Sequence, residues 1–330
     1  MRFRSTADGP QEAGGPARSR AARWGRRGGV VMSVRGRGTP DRPLPPVEGV
    51  THRFVTVRGV RFHVAQAGAG EPVVLLHGFP QHWYAWRRLM PELAGDHRVF
   101  AIDLRGCGWS DAPRGGYDGA GLVADVLGVL DALGLGRVRL VGHQSGGWLG
   151  FRLCLAAPER FSAFLAVNSA HPWPRRRFGL PLYAWRYWYT ALWEYPGVGR
   201  RVLRYWPGLT RAMLRYWAGR SAGVEEDAVR EFAQACTAPQ RARAGEQLLW
   251  QFVLHDIPAL ARGRFREQRL AVPTLVLLGD RDPVVRPQPL LGAQEFTEAL
   301  TVRVVPGGHL LAEEAPGVVA AAAREHFGRA

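Results

Sequence analysis

The segment Gly142-His143-Gln144-Ser145-Gly146-Gly147 joins an apolar run at 137–141 to a helix-like stretch at 148–157. A chain that leaves a strand and enters a helix in one sharp turn needs small residues on both sides of the apex, because a Cβ there would crowd the backbone. Such a turn lifts the side chain of residue 144 off the carboxyl edge of a sheet. It also aims the N–H of residue 145 into the same space, at the start of a helix. The turn therefore requires a parallel sheet with helices packed on it.

The rest of the sequence supplies that sheet. Phe54, Val55 and Val57 lead through Arg58-Gly59 to Val60, Phe62 and Val64. Alternation broken by a tight glycine turn predicts an antiparallel hairpin. The apolar run at 72–76 and its counterparts at 99–102, 137–141, 164–167, 274–278 and 302–305 read as strands buried on both faces. Helix-like stretches such as 120–133 and 148–157 lie between them. The expectation is an α/β fold, with a mostly parallel sheet and helices on both faces.

Between 174 and 268 the alternation stops, no strand run occurs, and Trp and Tyr recur at three- and four-residue spacings. This stretch is read as a helical cap inserted after the sixth strand. Residues 49–173 and 269–330 would then form the core. Residues 1–48 are rich in Arg, Gly and Pro without apolar periodicity and are expected to be a disordered tail. Arg26-Arg27 lies too close to too short an apolar run for an export signal, and Met32 is a plausible translation start.

Composition excludes several classes. The net charge is +16 over 330 residues, and all 44 basic residues are Arg. The tail carries +6 of that excess and the 174–268 stretch +8, with no nucleic-acid-binding motif around either. No nucleic-acid partner is expected. No apolar run approaches the roughly 20 residues needed to span a bilayer, so a soluble protein without a membrane role is expected. Cys107, Cys154 and Cys236 are scattered without metal-ligand spacing, which fits a reducing cytoplasm. Neither a Gly-x-Gly-x-x-Gly fingerprint, a P-loop nor clustered metal ligands occur, so no cofactor and no metal are expected. Oligomeric state is left open.

Chemistry in such sheets gathers at the carboxyl ends of the strands, and four loops there are distinctive. His77-Gly78-Phe79-Pro80-Gln81 follows the run at 72–76; its bend can turn the Phe79 N–H toward a pocket, with His77 as a lining candidate. At 142–147 the N–H of Ser145 would be the second donor of an oxyanion hole. Gly279-Asp280-Arg281-Asp282 and Gly307-Gly308-His309 close the set. Apex residue, acid and His in that chain order form a catalytic sequence, with Asp282, ahead of Asp280, orienting His309.

Over about residues 51–328 the chain resembles the epoxide hydrolase and haloalkane dehalogenase branch of the α/β-hydrolase superfamily. The resemblance rests on His77-Gly78-Phe79-Pro80-Gln81-His82-Trp83-Tyr84-Ala85-Trp86-Arg87, on Asp103-Leu104-Arg105-Gly106-Cys107-Gly108-Trp109-Ser110-Asp111, and on the turn at 142–147. In that branch the turn usually reads Gly-His-Asp-Trp-Gly-Gly. The Asp attacks the substrate carbon, and the His–acid pair activates the water that releases the ester. Here Gln144 stands at the nucleophile position, and an amide is a poor nucleophile. The family's cap phenol, four residues before an aromatic that leads into Pro-Gly, corresponds to Tyr189, ahead of Trp193 and Pro196-Gly197. The second phenol falls on Trp250, whose indole N–H can donate a hydrogen bond but not transfer a proton as a phenol can.

The sequence thus implies hydrolysis of a small apolar epoxide or ester by a water activated by His309 and Asp282, without a covalent step at Gln144. Two alternatives stand beside it. One is an inactive relative that binds an apolar ligand or a partner. The other is an esterase using Ser145, against which the bulky His143 two residues before it would crowd the turn.

Overall fold

The computed structural model describes residues 42–173, 190–218, 223–285, 297 and 299–329. The notional tail up to residue 41, the candidate phenol Tyr189 and the start of the insertion at 174 lie outside them.

Eight strands form one sheet in the order β1-β2-β4-β3-β5-β6-β7-β8. They are β1 (Thr51–Val57), β2 (Val60–Ala67), β3 (Glu71–Leu76), β4 (His97–Ile102), β5 (Val138–His143), β6 (Phe161–Val167), β7 (Thr274–Gly279) and β8 (Leu300–Val305). The first two make the expected hairpin, with Val57 opposite Val60. Arg58 and Gly59 both take positive φ, 52° and 78°, as the two-residue turn that matches strand twist requires. β2 runs antiparallel to β4, and all later pairings are parallel.

Successive residues of β3 show why its sequence is apolar throughout. Val74 and Leu76 join one core cluster with Leu140, Phe164 and Val276, whereas Val73 and Leu75 join the other with Val141, Leu165 and Leu277. Helices α2 (Gly119–Ala132) and α3 (Ser145–Ala156) cover the first face; α1 (Leu89–Ala94) and the last helix (Pro316–Arg329) cover the second. Each of these fully buried aliphatic or aromatic side chains contributes about 1.5–3 kcal/mol relative to exposure. Alternating placement with two helical layers leaves no solvated face on the central strands, hence no polar alternation in them.

Between β6 and β7 the described residues hold helices and no strand: α4 (Ala191–Glu194), α5 (Gly199–Tyr205), α6 (Pro207–Ala218), α7 (Glu226–Ala235), α8 (Pro239–Gln251) and α9 (Ile257–Ala261). The apolar faces of α4 to α8 share a cluster with Phe79, Ala85, Cys107 and Leu310, which belong to segments at the carboxyl ends of the strands, while Ala259 of α9 packs with Trp148 and Phe265. The helices therefore pack over that edge. After β8 come α10 (Leu311–Glu314) and α11 (Pro316–Arg329). Among the described residues no helix is long and apolar enough to cross a membrane.

Candidate active site

The turn after β5 has the backbone its glycines predict. Gln144 sits at φ 48°, ψ −112° as the cap of α3, a conformation that L-residues adopt only when surroundings enforce it. A Cβ on Gly142 would lie 2.6 Å from the Gly146 carbonyl oxygen, and one on Gly146 would lie 2.1 Å from that of Leu76. Neither backbone atom can move aside, so both positions must be bare.

The side chain of Gln144 does not swing free. Its Oε1 accepts the N–H of Phe79 at 2.9 Å and that of Ser145 at 3.1 Å. These are the two donors expected to build an oxyanion hole, and here an amide oxygen of the chain itself occupies it. Gly78 makes the approach feasible, because a Cβ there would stand 2.6 Å from the same Oε1. The Ser145 hydroxyl oxygen also accepts from Phe79 N–H, at 3.1 Å.

Asp282 and His309 are brought together as expected. His309 Nδ1 lies 2.8 Å from Asp282 Oδ2, with both side chains fully buried. The other oxygen, Oδ1, accepts the N–H groups of Val284 and Val285 at 2.6 and 2.9 Å. A carboxylate can only accept, so Nδ1 carries the proton toward Asp282 and Nε2 is the ring nitrogen left to accept one. That Nε2 is buried and, among the described residues, has no hydrogen-bond partner. Asp280, the competitor for the acid role, instead accepts from Gly307 N–H at 2.9 Å.

Several residues that the sequence reading did not single out hold this pair. Asn168, at φ 44° just after β6, donates Nδ2 to the carbonyls of Gly308 and His309 at 2.8 and 2.7 Å. Its Oδ1 accepts the N–H of Gly279, at the end of the strand that leads to Asp282. One buried amide thus spans both dyad loops. Glu314 caps the His309 loop through the N–H groups of Gly308 and Leu310. The His309 N–H donates to Trp217 O of α6 at 3.1 Å, and the two rings meet edge-on at 5.2 Å. His143 donates its Nε2–H to the His309 carbonyl at 2.8 Å. Burial, with the His309 ring 5.1 Å away, pushes His143 down to about 3, so it remains neutral. The one sequence signal for Asn168 was a short polar residue at a strand's carboxyl end. For Trp217 and Glu314 there was none.

Two predicted pocket residues are placed differently from the expectation. His77 is buried and uses both ring nitrogens on backbone: Nδ1 meets Gly78 O at 2.9 Å, and Nε2 accepts Leu104 N–H at 3.0 Å. It clasps β3 to β4 and offers no nitrogen to a ligand. Trp250 is half-buried on α8 with its ring 6.1 Å from that of Tyr195, and it makes neither a ring contact nor a hydrogen bond with Gln144 or His309. Phe79, whose N–H meets Gln144 Oε1, has its ring edge-on to Trp193 at 5.8 Å. Gly245 of α8 gives that ring room, since a Cβ there would stand 2.6 Å from it.

Among the described residues no group of three or more His, Cys, Asp or Glu could hold a metal ion. A groove of about 780 Å³ runs elsewhere, lined by Asp118, Arg152, His255, Asp256 and Arg264 among others, and by none of the residues of the turn or the dyad.

Comparison with known proteins gives a consistent picture. The sequence model of the alpha/beta hydrolase fold family matches residues 71–316. Epoxide hydrolase 4 of Mus musculus is 41% identical over 128 residues, 37% of this chain and 36% of that protein. The soluble epoxide hydrolase of Corynebacterium sp. (strain C12) is 43% identical over 102 residues, 31% and 36% of the two chains. The chain therefore spans little more than a third of the length of these relatives. Solved structures are covered more fully. Cfl2 from Burkholderia cenocepacia is 29% identical with a TM-score of 0.73, over 87% of this chain and 98% of that one. The epoxide hydrolase CorEH is 25% identical with a TM-score of 0.72, over 85% and 99%.

Proposed function

The chain belongs to the alpha/beta hydrolase fold family, and on that premise we propose that it is an epoxide-hydrolase-like enzyme in which a water activated by His309 and Asp282 attacks the substrate directly. The observation that carries this reading is the buried, unpartnered Nε2 of His309, with Nδ1 bonded to Asp282. A ring so held is a general base awaiting a proton, and such catalysis is worth about 10²–10⁴-fold. Gln144 stands at the position of the branch's nucleophile. An amide there has no oxygen nucleophilic enough to form the ester, but its NH₂ can hold the attacking water while Oε1 stays on the Phe79 and Ser145 amides.

The filled oxyanion hole favours an epoxide over an ester. Ester hydrolysis needs those two N–H groups for the developing oxyanion, and Gln144 Oε1 already takes both. Epoxide opening needs instead an acid on the departing oxygen, for which the cap residue Tyr189 is the candidate. The water proton passes to His309 Nε2, Asp282 stabilises the imidazolium, and the acid delivers a proton to the alkoxide; the imidazolium then gives its proton to solvent as the acid regains one, which closes the cycle. The same filled hole weighs against Ser145 as a nucleophile. Residues 174–268 act in this reading as a cap over an apolar substrate, and a cytoplasmic location fits the free, buried cysteines.

The test is a single turnover of an aromatic epoxide in heavy-oxygen water. Direct attack labels the diol in the first turnover, whereas a protein carboxylate would hand over an unlabelled oxygen. Turnover that persists in His309→Ala would sink the proposal. Saturable binding of the epoxide with no diol formed would support the inactive relative instead.

A further inference from the structure

An amide whose carbonyl oxygen accepts two converging backbone N–H groups, beside an oriented His with a free ring nitrogen, is the arrangement of an amide substrate in a hydrolase. In this protein that amide belongs to Gln144. We propose that Gln144 is a modification site: the His309–Asp282 pair hydrolyses its side-chain amide, leaving a glutamate at position 144 and releasing ammonia.

Three features of the site support this. The donors from Phe79 and Ser145, at 2.9 and 3.1 Å from Oε1, polarise the Cδ carbonyl and are placed to hold the oxyanion that forms on attack. The base is beside the turn, since His143, the residue before Gln144, donates to the carbonyl of His309, and the two rings lie 5.1 Å apart with their planes tilted by 54°. The side chain is also not sealed off. Gln144 is half-buried, which leaves its side chain a way to solvent for water to enter and ammonia to leave. Among the described residues no other glutamine has its side-chain oxygen on the Phe79 and Ser145 N–H groups. Gln81 is buried in the loop after β3, and Gln66 lies on β2 against Arg98.

The step balances with water as the only co-reactant. The water oxygen bonds to Cδ while its proton passes to His309 Nε2, and negative charge collects on Oε1 between the Phe79 and Ser145 amides. Collapse breaks the Cδ–Nε2 bond as the imidazolium returns the proton to the departing nitrogen. A carboxylate then stands where the amide stood. Asp282, bonded to Nδ1 at 2.8 Å, stabilises the imidazolium that forms on His309 when Nε2 takes the water proton, so the charge of the transition state needs no further group.

This inference rests on His309 acting as a general base, as in the function proposed above, but it needs no epoxide and is read by mass. The two can therefore fail separately. The full chain is purified, incubated in heavy-oxygen water, and the peptide carrying residue 144 is weighed over time. The expected result is progressive conversion of the amide to the acid with one solvent oxygen retained. Conversion should be slowed by about 10²-fold or more in His309→Gln and in Asp282→Asn. The wild-type chain held unfolded in denaturant should keep its amide over the same period, a control that does not depend on any variant folding. An amide that persists in the folded wild type overturns the proposal. So does conversion at the same rate in the denatured chain or in His309→Gln. Epoxide turnover by a chain that keeps its amide would leave the function standing and remove only this inference.

Discussion

The turn at 142–147 and the loops bearing Asp282 and His309 occupy the same edge of the sheet, yet they are held by opposite means. The turn is held by what is missing. Gly142 and Gly146 let two backbone segments pass where any Cβ would collide, and this is indifferent to which side chain points out of position 144. The dyad is held by what is present: Asn168, His143 and Glu314 hydrogen-bond the His309 loop, and Asn168 also reaches the strand end before Asp282. The first kind of scaffold allows its central side chain to be exchanged without loss of fold. The second kind leaves buried polar groups unpaired if any member goes, at about 1–3 kcal/mol each. A different side chain at position 144 is therefore compatible with the same turn and the same dyad geometry.

The sharpest way to break the comparison is to remove chemistry and leave geometry. In His309→Ala the polar contacts to the His309 backbone survive, because His143 and Asn168 bond its carbonyl and not its ring. Epoxide turnover should fall about 10²–10⁴-fold, while stability falls by only about 1–3 kcal/mol for the buried Asp282 Oδ2 left without its partner, as read by steady-state kinetics and denaturant titration. Gly146→Ala inverts the test. The added methyl would meet the Leu76 carbonyl oxygen at 2.1 Å, and overpacking of this sort costs about 1–3 kcal/mol. Unfolding free energy should drop, and turnover should drop with it as the Ser145 N–H shifts.

Asn168→Ala should give a mixed outcome. The Gly308 carbonyl and the Gly279 N–H lose their partner, a loss of about 1–3 kcal/mol in stability. Turnover should fall more than KM changes, because His309 and Asp282 lose a common anchor. An unchanged kcat would mean that His143 and Glu314 alone hold the His309 loop.

The smallest effect is expected at Glu313, outside the turn and the dyad. Its complete burial outweighs Arg87, which pairs with it at 2.6 Å but is shared with Glu225, and raises the carboxyl from 4.5 to about 7. A folded-state pKa raised in this way adds stability that is fully present below pH 4.5 and is lost as pH rises through about 7. Glu313→Gln should flatten the stability–pH curve across that window. A curve unchanged by the substitution would place the titrating group elsewhere.

Much of this molecule was legible in its sequence because the signals are local. The hairpin turn at Arg58-Gly59, the two-sided apolar strands and the glycines around Gln144 each state a constraint within a few residues of chain. The order of Gln144, Asp282 and His309 carried the site for the same reason, since each lies directly after a strand. Less local matters were misread or missed. His77 looked like a pocket residue, but its two nitrogens are consumed by Gly78 and by Leu104, which arrives from the next strand. Trp250 matched a motif spacing, yet its ring faces Tyr195.

The sequence by itself determined the sheet, the bare-glycine turn, and the fact that residue 144 carries an amide. Only the tertiary structure decided where that amide goes. The Phe79 N–H comes from a loop 65 residues earlier in the chain, and Asn168 joins loops whose partners lie more than 100 residues away. Hydrogen bonds of that range depend on the packing of the whole sheet edge, and no pattern along the chain records them. The turn can be read from its glycines; the use of its apex residue depends on donors that only folding brings to it.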